Sequence, residues 1–439
     1  MKRSVSRAVL GAAILAAAAA GGLPVVSQAQ APPAYAIRYL PGLGGTHSRG
    51  NSINDEGWIA GYSHLDASYR HAVLWREGRP LDLGALGSKN KPKNSNVVWP
   101  VKDTRGVIVG ISQTDAPDPW GENWSCSAFF PTGTNTGLRC RGFVWQGGAM
   151  RALPTLGGTH GFAAAANNLG QIVGWAENSI RDPESCTAPQ IFLFRAVVCG
   201  PHGFPIHELP LLSGDKASAA TAINDRGQVV GISGECDEAI GSATARHMVL
   251  WDDDTVTEIP NLGGAEWNTP TAINERGDVA GFSDRPGDVI TEAFFWTPEG
   301  GLQALGFLYD DHDLSEAFGL NGRRQVVGLS CGAECRAFLW QEGEMHDLNG
   351  LIGPDDSVLL THAMDINDDG VITGRATIRA TNERVAFVAA PTGSAISPSS
   401  TRRARAVAPA TARLSAEALR EILHPLGPHP GRLTTRPAR

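Results

Sequence analysis

One short pattern recurs seven times along this chain of 439 residues, and it restricts the fold more than any other feature. An apolar residue is followed by Asn, two polar residues, Gly and a β-branched stretch that ends in a second Gly, as in Ile223–Ser233 and Ile273–Ser283. The second glycines recur at intervals of 46 to 64 residues. They are Gly61, Gly110, Gly174, Gly231, Gly281, Gly328 and Gly374. A period near ~50 residues in a β-rich chain predicts propeller blades.

Each copy divides into four strand-like pieces. A small-residue strand such as Ala219–Ile223 precedes the Asn-x-x-Gly stretch, which is typical of a hairpin turn because Asn bonds locally and Gly adopts positive φ. A β-branched strand follows, and then an aromatic strand such as Arg336–Trp340. A polar turn leads to a fourth strand that ends in a Leu-Gly-Gly step, as at Leu262–Gly264. Four strands per repeat are the content of one propeller blade.

The two ends of the repeat region predict a closed ring. The last copy ends with the strand Arg384–Val388 and has no fourth strand after it, whereas Ala36–Gly45 is a fourth strand that precedes the first copy. If this N-terminal strand completes the last sheet, no sheet edge stays unpaired. We therefore expect an all-β, seven-bladed β-propeller over residues 32–391, built from repeats of ~50 residues and closed by the N-terminal strand.

The same motifs resemble a known family. The Ile-Asn-x-x-Gly-x-Val-x-Gly turn, the third strands His71-Ala72-Val73 and Arg336-Ala337-Phe338, and the Leu-Gly-Gly steps are similar to the HAF repeat of bacterial extracellular repeat proteins. The resemblance covers roughly residues 36–391. It implies a repeat fold and export, and it brings no catalytic residues.

The N-terminus has the pattern of a signal peptide. Lys2, Arg3 and Arg7 precede an Ala-rich apolar run over residues 8–20, and small residues at Ala29 and Ala31 suit cleavage. The run is shorter than the ~20 residues that a membrane span needs. We expect a cleaved leader over residues 1–31 and a mature protein that is secreted, periplasmic or displayed at the cell surface, without a transmembrane segment.

The C-terminal 48 residues, 392–439, differ from the rest in composition. They hold eight Arg, no Lys and two acidic residues, Glu417 and Glu421, with frequent Pro. Only residues 414–423 have a helical pattern. One interpretation is a basic, mostly disordered, solvated tail; the other is a basic arm that docks on the acidic body or on an anionic surface.

The seven cysteines favour sequence-local disulfides. The pairs would be Cys126 with Cys140, Cys186 with Cys199, and Cys331 with Cys335, which leaves Cys236 unpaired. Six cysteines permit 15 pairings, so other connectivities stay open. A zinc site is the alternative for the last pair, but no second pair with ligand spacing accompanies it. We expect no metal and no cofactor.

Long loops between the second and third strands of copies two to four predict one built-up face. These loops span 113–140, 177–190 and 234–246, and the connection 88–96 is also long. Residues expected to contact a ligand there are Trp120, Trp124, Phe129, Phe130, His47, His160, Lys89, Lys91 and Lys93. Exposed aromatic rings suit contact with sugars or proteins. The alternative is that these rings pack within their own insertion.

Two motifs that resemble catalytic or metal sites have simpler interpretations. The segment Gly328–Gly332 matches Gly-x-Ser-x-Gly, but Ser330 ends a strand and no helix follows it. The segment Asp365–Gly370 resembles the start of a calcium loop, but Ala376 stands where the late Glu is required.

These features favour a non-enzymatic exported propeller that binds or displays glycan or protein ligands. A net charge of −8 argues against nucleic acid as a partner. The alternative is a carbohydrate-active or other hydrolytic propeller with its site at the central channel mouth, which clustered carboxylates there would favour. A third interpretation is a structural surface protein whose basic tail makes the contact.

Overall fold

The computed structural model describes residues 34–90, 92–100, 105–122, 126, 129–131, 137–181, 191–200, 203–234, 245–353 and 355–392. Within these ranges the chain forms 28 strands and one four-residue helix, so the predicted all-β class is confirmed. None of the described helical residues forms a helix long and apolar enough to cross a membrane. The predicted leader 1–31 and the predicted helix 414–423 lie outside the described residues.

The first three repeats form three antiparallel sheets of four strands, preceded by β1 (Tyr35–Tyr39). Sheet 1 contains β2 (Ser48–Ile53), β3 (Ile59–His64), β4 (Arg70–Arg76) and β5 (Arg79–Asp82). Sheet 2 contains β6 (Ser95–Asn96), β7 (Ile108–Pro117), β8 (Leu138–Gln146) and β9 (Ala149–Ala152). Sheet 3 contains β10 (Gly157–Ala166), β11 (Ile172–Arg181), β12 (Phe192–Cys199) and β13 (Ile206–Glu208).

The remaining repeats continue the same order. Sheet 4 contains β14 (Ala217–Ile223), β15 (Val229–Gly234), β16 (His247–Asp252) and β17 (Thr255–Ile259). Sheet 5 contains β18 (Asn268–Ile273), β19 (Val279–Asp284), β20 (Thr291–Thr297) and β21 (Gly301–Gly306). Sheet 6 contains β22 (Leu314–Leu320), β23 (Val326–Cys331), β24 (Cys335–Gln341) and β25 (Glu344–Asp347), followed by α1 (Leu348–Leu351). One parallel bridge, Thr291 to Leu314, joins sheets 5 and 6.

The last sheet takes its fourth strand from the other end of the chain. Sheet 7 contains β26 (Val358–Ile366), β27 (Ile372–Ile378) and β28 (Glu383–Pro391). Strand β1 pairs with β28 in antiparallel register, with Tyr35 opposite Pro391 and Tyr39 opposite Phe387. The N-terminal and C-terminal ends of the repeat region are therefore hydrogen-bonded to each other.

The Asn-x-x-Gly stretches form the hairpins between first and second strands. In sheet 1 the Asn54 side chain accepts from the Trp58 backbone N–H at 2.9 Å, and Gly57 has φ of 74°. In sheet 6 Arg324 occupies the equivalent position with φ of 63°. Its guanidinium pairs with buried Asp278 at 2.9 Å. The residue that replaces the motif's Gly in this repeat therefore forms an ion pair.

The second glycine of each repeat is required by close packing. A first-strand bulge brings a carbonyl oxygen against it: a Cβ at Gly374 would overlap the His362 carbonyl and lie 2.9 Å from the Phe387 ring. The same overlap with a first-strand carbonyl occurs at the other second glycines. This crowding accounts for the repeated Gly.

The hairpins and the long loops lie at opposite ends of the sheets. We call the end that carries the Asn-x-x-Gly hairpins the turn face, and the end that carries the loops between second and third strands the insertion face. First strands of several sheets contribute to one buried apolar cluster, which includes Phe162, Ala219, Phe318 and Met364. Sites formed by residues of different sheets can therefore occur at either face.

Candidate functional site

The structure separates the aromatic residues predicted to contact a ligand. Trp120 is 43% exposed, with its ring edge-on to Phe192 and under Arg181, whose guanidinium carbon lies 4.5 Å from the ring centroid. Phe129 and Phe130 are buried, and Phe129 stacks on Phe162. The expected display of these two rings is wrong, because both are buried and Phe129 packs on a ring of sheet 3 rather than within its own insertion.

The predicted lysines are also not equivalent. Lys89 is exposed, but Lys93 is buried and its ammonium lies 2.6 Å from Asp115 Oδ1, so it forms an internal ion pair rather than a surface contact. Trp124 and Lys91 lie outside the described residues.

Two of the three predicted disulfides are present. Cys126 is bonded to Cys140, and Cys331 to Cys335. The predicted pairing of Cys186 with Cys199 is wrong, because Cys199 is a free, buried thiol. Burial raises its pKa to about 12, which keeps the thiol protonated. The remaining two cysteines, at positions 186 and 236, lie outside the described residues.

A buried cluster of ionisable groups lies beneath the insertion of sheet 2, and we call it the carboxyl–histidine cluster: Asp118, Glu122, His160 and Glu177. His160 lies in the first strand of sheet 3, and its Nε2 lies 3.5 Å from Asp118 Oδ2. Glu122 Oε1 accepts from the Ile191 and Phe192 amides at 2.9 and 2.8 Å. These bonds attach the insertion to sheet 3.

Three atoms of this cluster converge without hydrogen-bond partners among the described residues. They are Asp118 Oδ2, Glu122 Oε2 and His160 Nε2, all buried. The three residues also have one carboxylate oxygen or ring nitrogen each within 4.8 Å of those of the other two. Glu177 Oε2 accepts from the Thr159 and His160 amides at 2.9 and 2.7 Å. The free atoms are therefore available to a ligand or to a shared proton.

The environment moves the pKa values of the two insertion carboxyls in opposite directions. Burial, with the neighbouring Glu177 charge, raises the pKa of Glu122 to about 7. Burial also opposes ionisation of Asp118, but the interaction with His160 and the hydrogen bond from the Trp120 amide outweigh it, so the pKa of Asp118 is lower than usual. One carboxyl holds a proton near neutral pH while the other is ionised, which is the division expected of an acid and its partner.

The spacing of these three side chains also suits a metal ion, but the histidine tautomer does not. The Cys140 backbone N–H donates to His160 Nδ1 at 3.0 Å, so Nδ1 is an acceptor and the ring N–H is at Nε2. A metal-ligating histidine has the reverse arrangement, with a bare ligating nitrogen and a proton on the other nitrogen. The cluster therefore favours proton sharing over metal binding.

A second buried cluster lies where sheets 1 and 7 meet on the insertion face, and it includes the predicted residue His47. We call it the arginine–tyrosine cluster; its members are Arg49, Tyr62, Arg70, Arg375 and Arg384, with His47, His64 and His362 beside them. Arg70 and Arg375 both hydrogen-bond to the Tyr62 hydroxyl. The guanidinium carbons of Arg70 and Arg49 lie 4.4 and 5.3 Å from the Tyr62 ring centroid.

The positive charges in this second cluster change the ionisation of their neighbours. Burial opposes ionisation of Tyr62, but the charges of Arg49, Arg70 and two further arginines outweigh it and lower its pKa to about 7. Burial and adjacent arginines lower the pKa of His47 to about 4 and that of His64 to about 3, so both rings are neutral at pH 7.

Carboxylates also cluster at the turn face. Asp55, Asp225, Glu275 and Asp368 line a cavity of about 110 Å³ together with the turn asparagines. Each carboxylate accepts a backbone N–H of an adjacent turn, as in the 2.9 Å bond from the Asp368 amide to Asp55. These carboxylates therefore join one hairpin to the next.

Ser330, of the Gly-x-Ser-x-Gly match, has a structural role. It is fully buried, and its Oγ accepts from the Leu308 backbone N–H at 3.1 Å, as Ser63 accepts from Leu43 and Ser283 from Leu262. His312 Nδ1 lies 2.7 Å from Ser330 Oγ. A serine with this hydrogen bond thus recurs in several repeats. The copy at Ser330 differs in that a histidine, His312, lies beside it.

Comparisons with known proteins give one partial family match and several solved structures of low sequence identity. Residues 213–411 match a family described as "Protein of unknown function (DUF3466)". No curated protein matches the chain. Similar solved structures include an acylaminoacyl peptidase of Pyrococcus horikoshii, with 10% identity, a TM-score of 0.45, and coverage of 78% of this chain and 50% of that one.

Two further structures have comparable similarity. The β-propeller domain of the trilobed protease of Pyrococcus furiosus has 10% identity and a TM-score of 0.43, with 78% of this chain and 95% of that chain covered. A puromycin-hydrolysing peptidase of Mycobacterium tuberculosis has 12% identity and a TM-score of 0.42, with 74% and 45% covered. The chain thus spans about half the length of the first of these structures. The structure itself shows an all-β protein built from a succession of four-stranded antiparallel sheets, the unit of which propeller blades consist.

These comparisons correct the predicted function. The similar structures are peptidases and hydrolases, so the expectation of a non-enzymatic binding or display protein is wrong, and the hydrolytic alternative agrees better with them.

Sequence reasoning missed both buried clusters, although one signal was present. The residue after each second glycine is large and apolar in most copies, for example Ile111, Trp175 and Leu329, but it is Tyr62 in the first copy and Arg375 in the last. These two departures mark the arginine–tyrosine cluster. The carboxyl–histidine cluster has no comparable signal, because Asp118 and Glu122 lie in an insertion, outside the strands and turns that repeat along the chain.

Proposed function

We propose that this protein is a hydrolytic, carbohydrate-active propeller that cleaves a glycosidic bond at the carboxyl–histidine cluster. One observation carries the proposal: Glu122 and Asp118 have pKa values moved apart, to about 7 and below the usual range, while a carboxyl oxygen of one lies within 4.8 Å of a carboxyl oxygen of the other. Retaining glycosidases use two carboxyl groups about 5 Å apart, one protonated and one ionised.

In the proposed reaction Glu122 is the general acid. It gives its proton to the leaving-group oxygen as the bond from that oxygen to the anomeric carbon breaks, and Asp118 forms the new bond to that carbon. Water then attacks the anomeric carbon, Glu122 takes a proton from the water, and Asp118 is released as a carboxylate. His160 is a positioning residue, since its Nε2 lies 3.5 Å from the Asp118 oxygen that must stay ionised.

Trp120 supplies the contact surface in this proposal. It lies between the two carboxyls in sequence, and among the described residues of this segment it is the exposed aromatic ring. Aromatic faces pack against the apolar C–H surface of sugars, and Arg181 holds the ring from one side. We therefore place the approach of the substrate on the side of Trp120.

The test is an assay of reducing-end release from a panel of polysaccharides and aryl glycosides, from pH 4 to 9. The purified full chain is compared with Glu122→Gln, Asp118→Asn and, as a matched exposed control, Glu299→Gln. Removal of a general acid or nucleophile lowers the rate by about 10²-fold or more, whereas the control keeps the wild-type rate. The wild-type rate falls above about pH 7, where Glu122 loses its proton.

Aryl esters and peptide anilides form a second arm of the assay. The wild-type protein could cleave the esters or anilides instead. If Glu122→Gln then keeps full activity and Ser330→Ala loses it, the hydrolytic site is at Ser330 and His312. Absence of cleavage of every glycoside by the wild-type protein would also contradict the proposal.

We further propose that the seven sheets close into one seven-bladed ring. The ladder between β1 and β28 supports closure, as does the bond from the Asn367 side chain to the Asn54 carbonyl. We also propose export to an oxidising compartment; the Cys126–Cys140 and Cys331–Cys335 disulfides support it, because such bonds persist there.

A further inference from the structure

The arginine–tyrosine cluster concentrates positive charge in a buried place. Arg49, Arg70 and Arg375 are 5, 8 and 2% exposed, and Arg384 is 8% exposed. Guanidinium groups keep their proton at neutral pH even where burial lowers the pKa, here to about 10 for Arg70 and about 9 for Arg375. The site therefore holds four positive charges with little access to solvent.

The opposite charge that acts on these arginines comes from Tyr62. Within the described part of the chain, Arg49, Arg70 and Arg375 form no ion pair with a carboxylate. Tyr62 is the group that raises the pKa of each of them, and no carboxylate does so. One phenolate, ionised in about half of the molecules at pH 7, cannot balance the three guanidinium groups of Arg49, Arg70 and Arg375.

Hydrogen-bond donors in the cluster are also unused. Among the described residues, Nε of Arg49, Nε of Arg70 and Nε of Arg375 are buried without a hydrogen-bond partner. Arg70 donates from Nη2 to the Phe129 carbonyl, and Arg375 Nη2 contacts His362 Nε2 at 3.0 Å, so the two groups are held in place while their Nε atoms stay free. Buried unpaired donors on charged groups are costly, and they indicate a missing acceptor.

We propose that this cluster is a binding site for a small oxyanion, a carboxylate, phosphate or sulfate group, held between sheets 1 and 7. The planar fork of a guanidinium matches such oxygens, and several converging arginines make the match selective for oxyanions over halides. The Tyr62 phenol donates a further hydrogen bond to the anion. The proposal does not depend on the hydrolytic function, which concerns other residues on sheets 2 and 3.

The position of the site gives the anion a structural consequence. Sheets 1 and 7 are already joined by the bond from the Ala386 amide to Ser48 Oγ at 2.9 Å and by the bond from the Arg384 amide to the Thr46 carbonyl at 3.1 Å. An anion held by Arg49 of one sheet and Arg375 of the other adds a further connection. Its binding therefore stabilises the junction between the first and last sheets.

Thermal unfolding of the full chain tests the site with sodium phosphate, sulfate and acetate as probes, each against sodium chloride at equal ionic strength. For wild type the unfolding temperature rises with the logarithm of the probe concentration once the site saturates. The same series is measured for Arg375→Gln and Arg375→Lys, with the exposed Arg79→Gln as control. We expect binding at least ~10-fold weaker in Arg375→Gln, intermediate affinity in Arg375→Lys, and a wild-type response in the control.

Ionisation of Tyr62 is a second readout that needs no arginine variant. Burial raises the pKa of Tyr35 and Tyr39 to about 12, so phenolate absorbance that appears near pH 7 and is lost in Tyr62→Phe belongs to Tyr62. A bound anion opposes formation of the phenolate, and we expect saturating probe to raise this midpoint by about one unit or more.

The outcomes distinguish the ligand classes. A response to phosphate and sulfate alone supports a tetrahedral oxyanion, and a response to acetate alone supports a carboxylate. Three results would overturn the proposal: chloride acts as strongly as the oxyanions, Arg375→Gln responds like Arg79→Gln, or the Tyr62 midpoint does not move with any probe.

Discussion

The Asn367 side-chain amide donates to the Asn54 main-chain carbonyl at 3.1 Å, although 313 positions separate the two residues in the sequence. The same bond links consecutive hairpins from sheet 3 onward: each turn asparagine donates to the carbonyl of the next, at 2.9 to 3.2 Å. The donors before Asn367 are Asn167, Asn224, Asn274 and Asn321. One repeated residue thus forms both the local turn and the contact with the neighbouring sheet.

Replacement of Asn367 by Ala tests whether the first and last sheets are joined in solution. The change removes the bond to Asn54 and the two local bonds from the Asp369 and Val371 amides. We expect the free energy of unfolding to fall by about 2 kcal/mol, because buried backbone groups lose their partner. Urea-induced unfolding measures the change.

Asn224→Ala is the matched control for this bond, because it removes the equivalent bonds between sheets 4 and 5. The two variants should lose similar stability. A large loss in Asn224→Ala with none in Asn367→Ala would show that the ring is open between sheets 7 and 1.

The packing at the second glycine of the repeat gives a further prediction. Gly374→Ala places a methyl group against the His362 carbonyl and the Phe387 ring, and we expect a loss of about 3 kcal/mol from overpacking. Gly350→Ala is the control, since a Cβ there meets nothing within 4 Å and the residue has no positive φ. Equal unfolding temperatures of the two variants would contradict this interpretation of the repeat.

Stability should depend on pH through Glu122. Its pKa is about 7 in the folded protein, against an ordinary value of 4.5, so the folded state holds this proton more tightly than the unfolded chain. The resulting stabilisation is complete below about pH 4.5 and is lost as the pH rises through about 7. Between about pH 4.5 and about pH 7, the free energy of unfolding of wild type falls by up to about 1.4 kcal/mol per pH unit relative to that of Glu122→Gln.

Thermal or urea unfolding of both proteins at intervals from pH 4 to 8 measures this difference. Glu299→Gln, which changes an exposed carboxyl, should follow wild type throughout. A constant difference between wild type and Glu122→Gln at every pH would contradict the raised pKa.

Cys199 should resist alkylation while the protein is folded. Its thiol is buried and its pKa is about 12, so the reactive thiolate is scarce and inaccessible. We expect iodoacetamide at pH 8 to modify Cys199 at least about 100-fold more slowly in native protein than in urea. Peptide mapping by mass spectrometry identifies the modified residue, and rapid labelling of native protein would contradict the burial.

Local patterns in the sequence predicted much of the architecture. The hairpins at Asn54 and Asn224 lie where the Asn-x-x-Gly motif predicts them, and the N-terminal strand pairs with β28 as the strand count indicated. Cys126–Cys140 and Cys331–Cys335 were predicted because near neighbours in sequence are close in any fold. The pairing proposed for Cys199 failed because Cys199 is buried inside sheet 3.

The candidate sites could not be predicted in the same way. Tyr62 and Arg375 are more than 300 positions apart, and they meet because sheet 7 lies beside sheet 1. Phe129 and Phe130 in the insertion, and Lys93 in the connection 88–96, were expected at the surface, yet all three are buried.

The repeat pattern by itself determined the strand order, the turn positions and the four-stranded unit, because backbone conformation and hairpin hydrogen bonds depend on residues a few positions apart. The tertiary structure alone decided which charged side chains lose contact with water and which of them meet. Burial and proximity to other charges set the ionisation of Glu122 and Tyr62, and both depend on how separate sheets pack.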